Sequence, residues 1–246
     1  MSVTATQGSH ESHHDEHHDG HHDHPKWLAH HYETPRQQHE ANKFGIWLFL
    51  AQEVLFFSGL FCAYTYYRMN NPELFKFAHH FLDTKMGAIN TVVLIFSSFT
   101  MAAAVRCAQM ENRKWLLRNL WITLGCAGAF MVIKAFEYSH KFHLGLFWGD
   151  SYDPAPEALA DVAAKAGVAV ETLPSMHQFF SIYYCMTGLH GLHVIAGMIA
   201  IGWVLRRAYR GDFNRYYFSA VDSVGLYWHI VDLVWIFLFP LMYLIR

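Results

Sequence analysis

The chain has 246 residues, of which 53% are hydrophobic and only 15% are charged. A soluble domain of this size carries roughly 25% charged residues. This composition, with apolar runs long enough to cross a bilayer, excludes an ordinary soluble enzyme. The formal net charge of −2 gives no electrostatic basis for a nucleic-acid partner.

In chain order, residues 1–43 are polar, and within 10–24 histidines alternate with carboxylates. Such a stretch buries no core, so a disordered tail is expected. His13, His14, His17, His18, His21 and His22 are the candidate weak metal ligands, since histidine-rich tracts take zinc, copper or nickel. A solvated tail of biased composition explains the same residues. No positive region precedes an apolar core at the N-terminus, so no cleavable signal peptide is expected.

Five runs then approach or exceed the roughly twenty residues that a spanning helix needs. They cover about residues 44–67, 87–107, 115–138, 178–205 and 223–245. Helices are the natural assignment, because an open sheet would leave backbone groups unpaired in lipid. The predicted fold is therefore all-α, a polytopic bundle of five spans forming one membrane domain over 44–246. Trp47, Trp115, Trp203, Tyr66, Tyr67 and Tyr243 lie near run ends, where amphipathic rings prefer the interface. The short loops 108–114 and 206–222 hold most of a basic bias, which predicts the N-terminus inside and the C-terminus outside.

The outer loop 139–177 is acidic, and its centre spaces Ala158, Leu159, Val162, Ala163 and Ala166 as a short amphipathic helix would. Cys62, Cys107, Cys126 and Cys185 share no metal-type spacing and fall in or beside apolar runs. They are read as buried apolar filler, without a disulfide or zinc site.

Several ionisable groups fall inside the runs, where they are costly and usually face the protein interior. Gln52 and Glu53 lie well inside the first span. Glu53 is either a proton carrier or a neutral acid bonded to another helix or a lipid head group. Lys134 and Glu137 are three apart and share a helix face, so an intrahelical ion pair is expected. His190 with His193, and His229 with Asp232, repeat that spacing in the last two spans. A metal site at His190 and His193 would need further ligands from a facing helix, which His229 and Asp232 could supply, and a heme would need axial ligands on facing helices. Close packing around Gly188 and Gly191, interhelical hydrogen bonds, and an imidazole oriented by Asp232 are the structural reading.

The segment 180–194, Phe-Ser-Ile-Tyr-Tyr-Cys-Met-Thr-Gly-Leu-His-Gly-Leu-His-Val, resembles the signature stretch of cytochrome c oxidase subunit III. So does 227–235, Tyr-Trp-His-Ile-Val-Asp-Leu-Val-Trp, and 52–59, Gln-Glu-Val-Leu-Phe-Phe-Ser-Gly, is similar to the family's early Glu-Val segment. Asn90-Thr91 and Glu137-Tyr138 match in kind. Many family members have seven spans, and the five here resemble the last five.

The resemblance implies a non-catalytic subunit of a proton-pumping oxidase in a bacterial cytoplasmic membrane. Its expected partners are the catalytic subunit I, the other oxidase subunits and a larger respiratory supercomplex. It implies no redox centre on this chain, with heme and copper in partner subunits and phospholipid bound in a cleft. Glu53 matches the family's carbodiimide-reactive buried carboxylate, with a proton or lipid role. Asn90, Lys134, Glu137, His190, His193, His229 and Asp232 are then structural polar groups. The donor is cytochrome c or, alternatively, a quinol. A stand-alone proton or metal transporter is the reading from a different class, but no internal repeat supports it.

Overall fold

The computed structural model describes residues 34–149, 152–170, 175–213 and 217–244. Among the described residues, five helices are long and apolar enough to cross a membrane. The tail histidines lie outside the described residues.

Helix α1 spans Pro35–Asn70. Thr34 caps it by accepting a bond from the Gln37 amide, and Pro35 fills the first turn, where its missing N–H costs nothing. The expected tail thus gives way to helix at Pro35, ahead of the predicted span at 44. Hydropathy locates the part that suits lipid, whereas caps and good helix formers such as Gln37, Gln38 and Ala41 decide where the helix starts. At 1.5 Å per residue its 36 residues reach about 54 Å, beyond the roughly 30 Å hydrocarbon core.

A short helix, α2 (Pro72–Ala78), and a 3-10 turn (His79–Phe81) follow. Neither was expected. They bury Leu74, Phe75 and Ala78. Asp83 then caps α3 (Thr84–Gln109) through the amides of Lys85 and Met86. After a tight turn, Asn112 caps α4 (Arg113–His143), so α4 outruns its predicted end at residue 138. The amphipathic segment of the outer loop forms α5 (Pro156–Ala166), ended by the left-handed Gly167. The last two spans are α6 (His177–Arg210) and α7 (Ser219–Tyr243).

Helices α3, α4, α6 and α7 pack in a closed ring, each against two neighbours. Helix α1 leans mainly on α7 from outside. It buries only 11% of its most apolar window, against 39% for α7. Trp228, Trp235, Phe130, Tyr183, Leu120 and Met101 fill the ring.

Close approach occurs away from the expected glycines. Gly188 and Gly191 face open space, whereas a Cβ on Gly197 would meet the Trp228 ring at 2.7 Å and one on Gly87 would meet Phe239 at 2.6 Å. Periodicity cannot tell which small residue faces a neighbour. The cysteines also depart from expectation: Cys62 and Cys185 are exposed, and Cys107 and Cys126 half-buried. Lipid is as apolar as the interior, so an apolar side chain has no reason to turn inward. Trp47, Trp115, Trp203 and Tyr66 lie on the outside, but Tyr243 is wholly buried.

Candidate functional site

Three polar clusters lie between the helices. The first joins α1 to α6. Consecutive helical residues point about 100° apart, so Gln52 is exposed while its neighbour Glu53 is only 8% exposed. Glu53 Oε2 lies 2.9 Å from His193 Nε2. His193 Nδ1 lies 2.8 Å from the Leu189 carbonyl oxygen one turn back. The Phe57 ring meets the imidazole edge-on at 5.0 Å, and Tyr227 on α7 donates to the His193 carbonyl at 3.0 Å. His193 therefore touches α1, α6 and α7 together.

The second cluster forms around Glu137 on α4. Lys134 Nζ donates to Glu137 Oε2 at 2.7 Å, the intrahelical pair that the spacing predicts. Lys141, one turn further on, donates to Oε1 at 2.6 Å. Tyr243 and Tyr183 add hydroxyl bonds to the same oxygen at 2.6 and 2.9 Å. Lys134 also donates to both tyrosines and lies 5.2 Å from the Trp235 ring centroid, where the ring's negative face favours a cation. Two ammonium groups thus share one carboxylate, a local surplus of one positive charge.

The third cluster ties α7 to α3. His229 and Asp232 do not orient each other as expected. The Ser98 hydroxyl meets His229 Nδ1 at 2.6 Å, and Ser97 donates to Asp232 Oδ2 at 3.3 Å. Trp228 Nε1 donates to Ser97 at 3.0 Å. Adjacent serines on the facing helix partner both groups, which spacing within α7 could not reveal, while Asp232 Oδ1 bonds no protein atom. His190 is fully buried between Phe130 and Trp235, with ring centroids at 5.6 and 5.3 Å. Neither its nitrogens nor the Asn90 amide bond a protein atom.

The four motif residues do not converge: His193 faces Glu53, His190 lies between two aromatic rings, and His229 and Asp232 face adjacent serines of α3. Among the described residues no three His, Cys, Asp or Glu side chains come together as metal ligands. Sequence reasoning missed Tyr183, Tyr243, Lys141, Ser97 and Ser98. Of these, only Lys141 carried a signal, its spacing of four from Glu137.

Two cavities open at opposite ends of the bundle. One of about 740 Å³ lies between the 3-10 turn, α3, α4 and α5, lined by Asp83, Lys85, His140, Glu157, Asp161 and Lys165 among others. His80 on its rim has its pKa lowered, first by burial and then by the His79 and Lys165 charges. The other, about 480 Å³, lies among α1, α6 and α7, with Phe49, Trp203, Arg207 and Tyr217 on its wall. Arg207 bonds Asp212 at 3.1 Å and Tyr217 at 3.3 Å. Near this end, Arg113 at the start of α4 donates to the carbonyls of Ala208 and Tyr209 at the end of α6.

The family model for cytochrome c oxidase subunit III matches residues 27–145 and 172–245. The chain belongs to that family. The two matched blocks carry all five spans of this subunit III and lie on either side of α5. It is 32% identical over 202 residues to a probable cytochrome c oxidase subunit 3 of Nocardia farcinica, covering 82% of this chain and 87% of that one. It is 26% identical over 206 residues to a probable quinol oxidase subunit 3 of Staphylococcus aureus, covering 84% and 90%. It is also 30% identical over 206 residues to a heme-copper oxidase subunit I+III of Aeropyrum pernix. That match covers 81% of this chain but spans only 22% of the fused protein.

Proposed function

We propose that this subunit III serves a proton-pumping heme–copper terminal oxidase as a non-catalytic partner of the catalytic subunit. The fused subunit I+III relative carries this reading, because one polypeptide there joins the two subunits in its name. Heme and copper reside in the partner subunits, and this chain contributes packing, lipid binding and support for proton uptake. Lipid binding is supported by the cavity at Arg207, where a guanidinium, a tyrosine hydroxyl and apolar walls suit a phospholipid head group and the start of its chains. A role in proton uptake centres on Glu53, the buried carboxyl on the least packed span.

The orientation is N-terminus inside and C-terminus outside, in a bacterial cytoplasmic membrane. The basic ends of α3 and α4, with Arg106, Arg113 and Lys114, and of α6, with Arg206, Arg207 and Arg210, support it. The electron donor is cytochrome c, favoured by the higher identity to the Nocardia farcinica protein. The Staphylococcus aureus relatives motivate a second reading, a quinol oxidase.

Gentle solubilisation followed by purification tests the assignment. Heme-bearing subunits are expected to co-migrate with this chain, and the complex to oxidise reduced cytochrome c. A chain that purifies alone with stoichiometric heme overturns the non-catalytic role. Turnover with quinol and none with cytochrome c transfers the assignment to the second reading.

A further inference from the structure

Glu53 carries an acid into a membrane helix, and among the described residues it pairs with no lysine or arginine. Its partner is an imidazole whose two nitrogens have different duties. The Leu189 carbonyl oxygen at 2.8 Å from Nδ1 can only accept, so Nδ1 must carry a hydrogen. The 2.9 Å contact between Nε2 and Glu53 Oε2 then needs one hydrogen and has room for no second. That hydrogen is either on Nε2, giving imidazolium and carboxylate, or on Oε2, giving neutral imidazole and carboxylic acid. Both arrangements have zero net charge.

Departures in either direction are penalised. Without the hydrogen, two lone pairs face each other and the pair is an uncompensated anion. With a second one between the same two atoms, two donors face each other and the pair is a cation. Either net charge is costly at bilayer depth. The surroundings offer no relief: Phe56 and Phe57 of α1 pack on the imidazole. The titratable groups facing the pair are Tyr227 from α7 and His190 from α6.

We propose that Glu53 and His193 hold one shared proton as a net-neutral unit, with His193 the positioning residue that keeps Glu53 in the membrane. The carboxyl then needs no basic residue beside it. A proton reaching the pair is passed on only as another leaves, so the unit hands protons over without storing them. This rests on the contact geometry and stands whether or not Glu53 takes part in proton uptake.

The test uses the intact complex with isotope-labelled histidine, the His193 signals being those lost in His193→Gln. Solid-state nitrogen NMR is expected to show a protonated Nδ1 throughout, from about pH 6 to about pH 9, a range spanning the ordinary histidine transition. Infrared pH-difference spectra across that range should contain no carboxyl band that disappears in Glu53→Gln. His193→Gln keeps a hydrogen-bonding side chain but no exchangeable ring nitrogen, and should make a Glu53-dependent carboxyl band titrate. An unprotonated Nδ1, or the same Glu53-dependent titration in wild type and His193→Gln, overturns the proposal. Should His193→Gln not assemble, Glu53→Gln and the wild-type spectra decide, with His193 then assigned by its through-space contact to Phe57. Failure here leaves the subunit assignment intact, because that is read from co-migration with heme.

Discussion

Two buried carboxyl groups in this chain are kept in the membrane by different means. Glu137 is in the packed ring, held by two ammonium groups and two tyrosine hydroxyls. Glu53 is on the loosely packed α1, held by a single imidazole. The first is an ionic network in which every member is committed to several partners. The second is a single contact that links one helix to the rest. A charge held by opposite charges is a strong structural element with a high penalty for breaking it. A charge cancelled by a shared proton leaves more freedom.

Four changes test that contrast, from the largest expected effect to the smallest. Glu137→Ala should be the most damaging, because it leaves two buried lysines without a counter-charge. Breaking a buried pair costs about 3–5 kcal/mol, so loss of this chain from the purified complex is expected, measured as subunit stoichiometry. Lys134→Met should cost less, about 1–3 kcal/mol, because Glu137 keeps Lys141 and a neutral pair remains. The complex should still form but release the subunit at a lower temperature on heating. If Lys134→Met proves as severe as Glu137→Ala, the surplus-charge account fails.

Glu53→Gln should leave assembly intact and initial electron transfer little changed, with the loss confined to sustained turnover. Its stability cost should be below about 1 kcal/mol, since an amide still donates to Nε2. Complete loss of activity in a normally assembled complex would place Glu53 in the essential chemistry. Deleting residues 10–24 should have the least effect: native mass measurement should show the complex lighter by that segment alone.

The five spans were legible because bilayer thickness sets a length that few other constraints mimic. The start of α1 was not, since Thr34 and Pro35 act through backbone geometry that hydropathy ignores. Helix α2, with seven residues, was too short to show a period. At the site, Lys134–Glu137 was readable from spacing on one helix. The Glu53–His193 contact was not, because it joins residues 140 apart in sequence. His229 and Asp232 misled for the same reason, as their partners Ser98 and Ser97 are ordinary serines until α7 is placed beside α3. Lys141 falls in the outer loop by hydropathy, because the third apolar run ends at residue 138.

The contact between Glu53 and His193 also bears on voltage. Moving one elementary charge through the full membrane potential involves about 2.3 kcal/mol per 100 mV. A lone carboxylate inside the bilayer would see its proton occupancy drift as the membrane becomes energised. A pair with no net charge in either of its forms experiences no such pull as a whole, and responds only through the short displacement of one hydrogen along a 2.9 Å contact. Helix α1, whose packing is the lightest of the five, is therefore fastened at its midpoint by a link that the electric field of a working membrane scarcely disturbs.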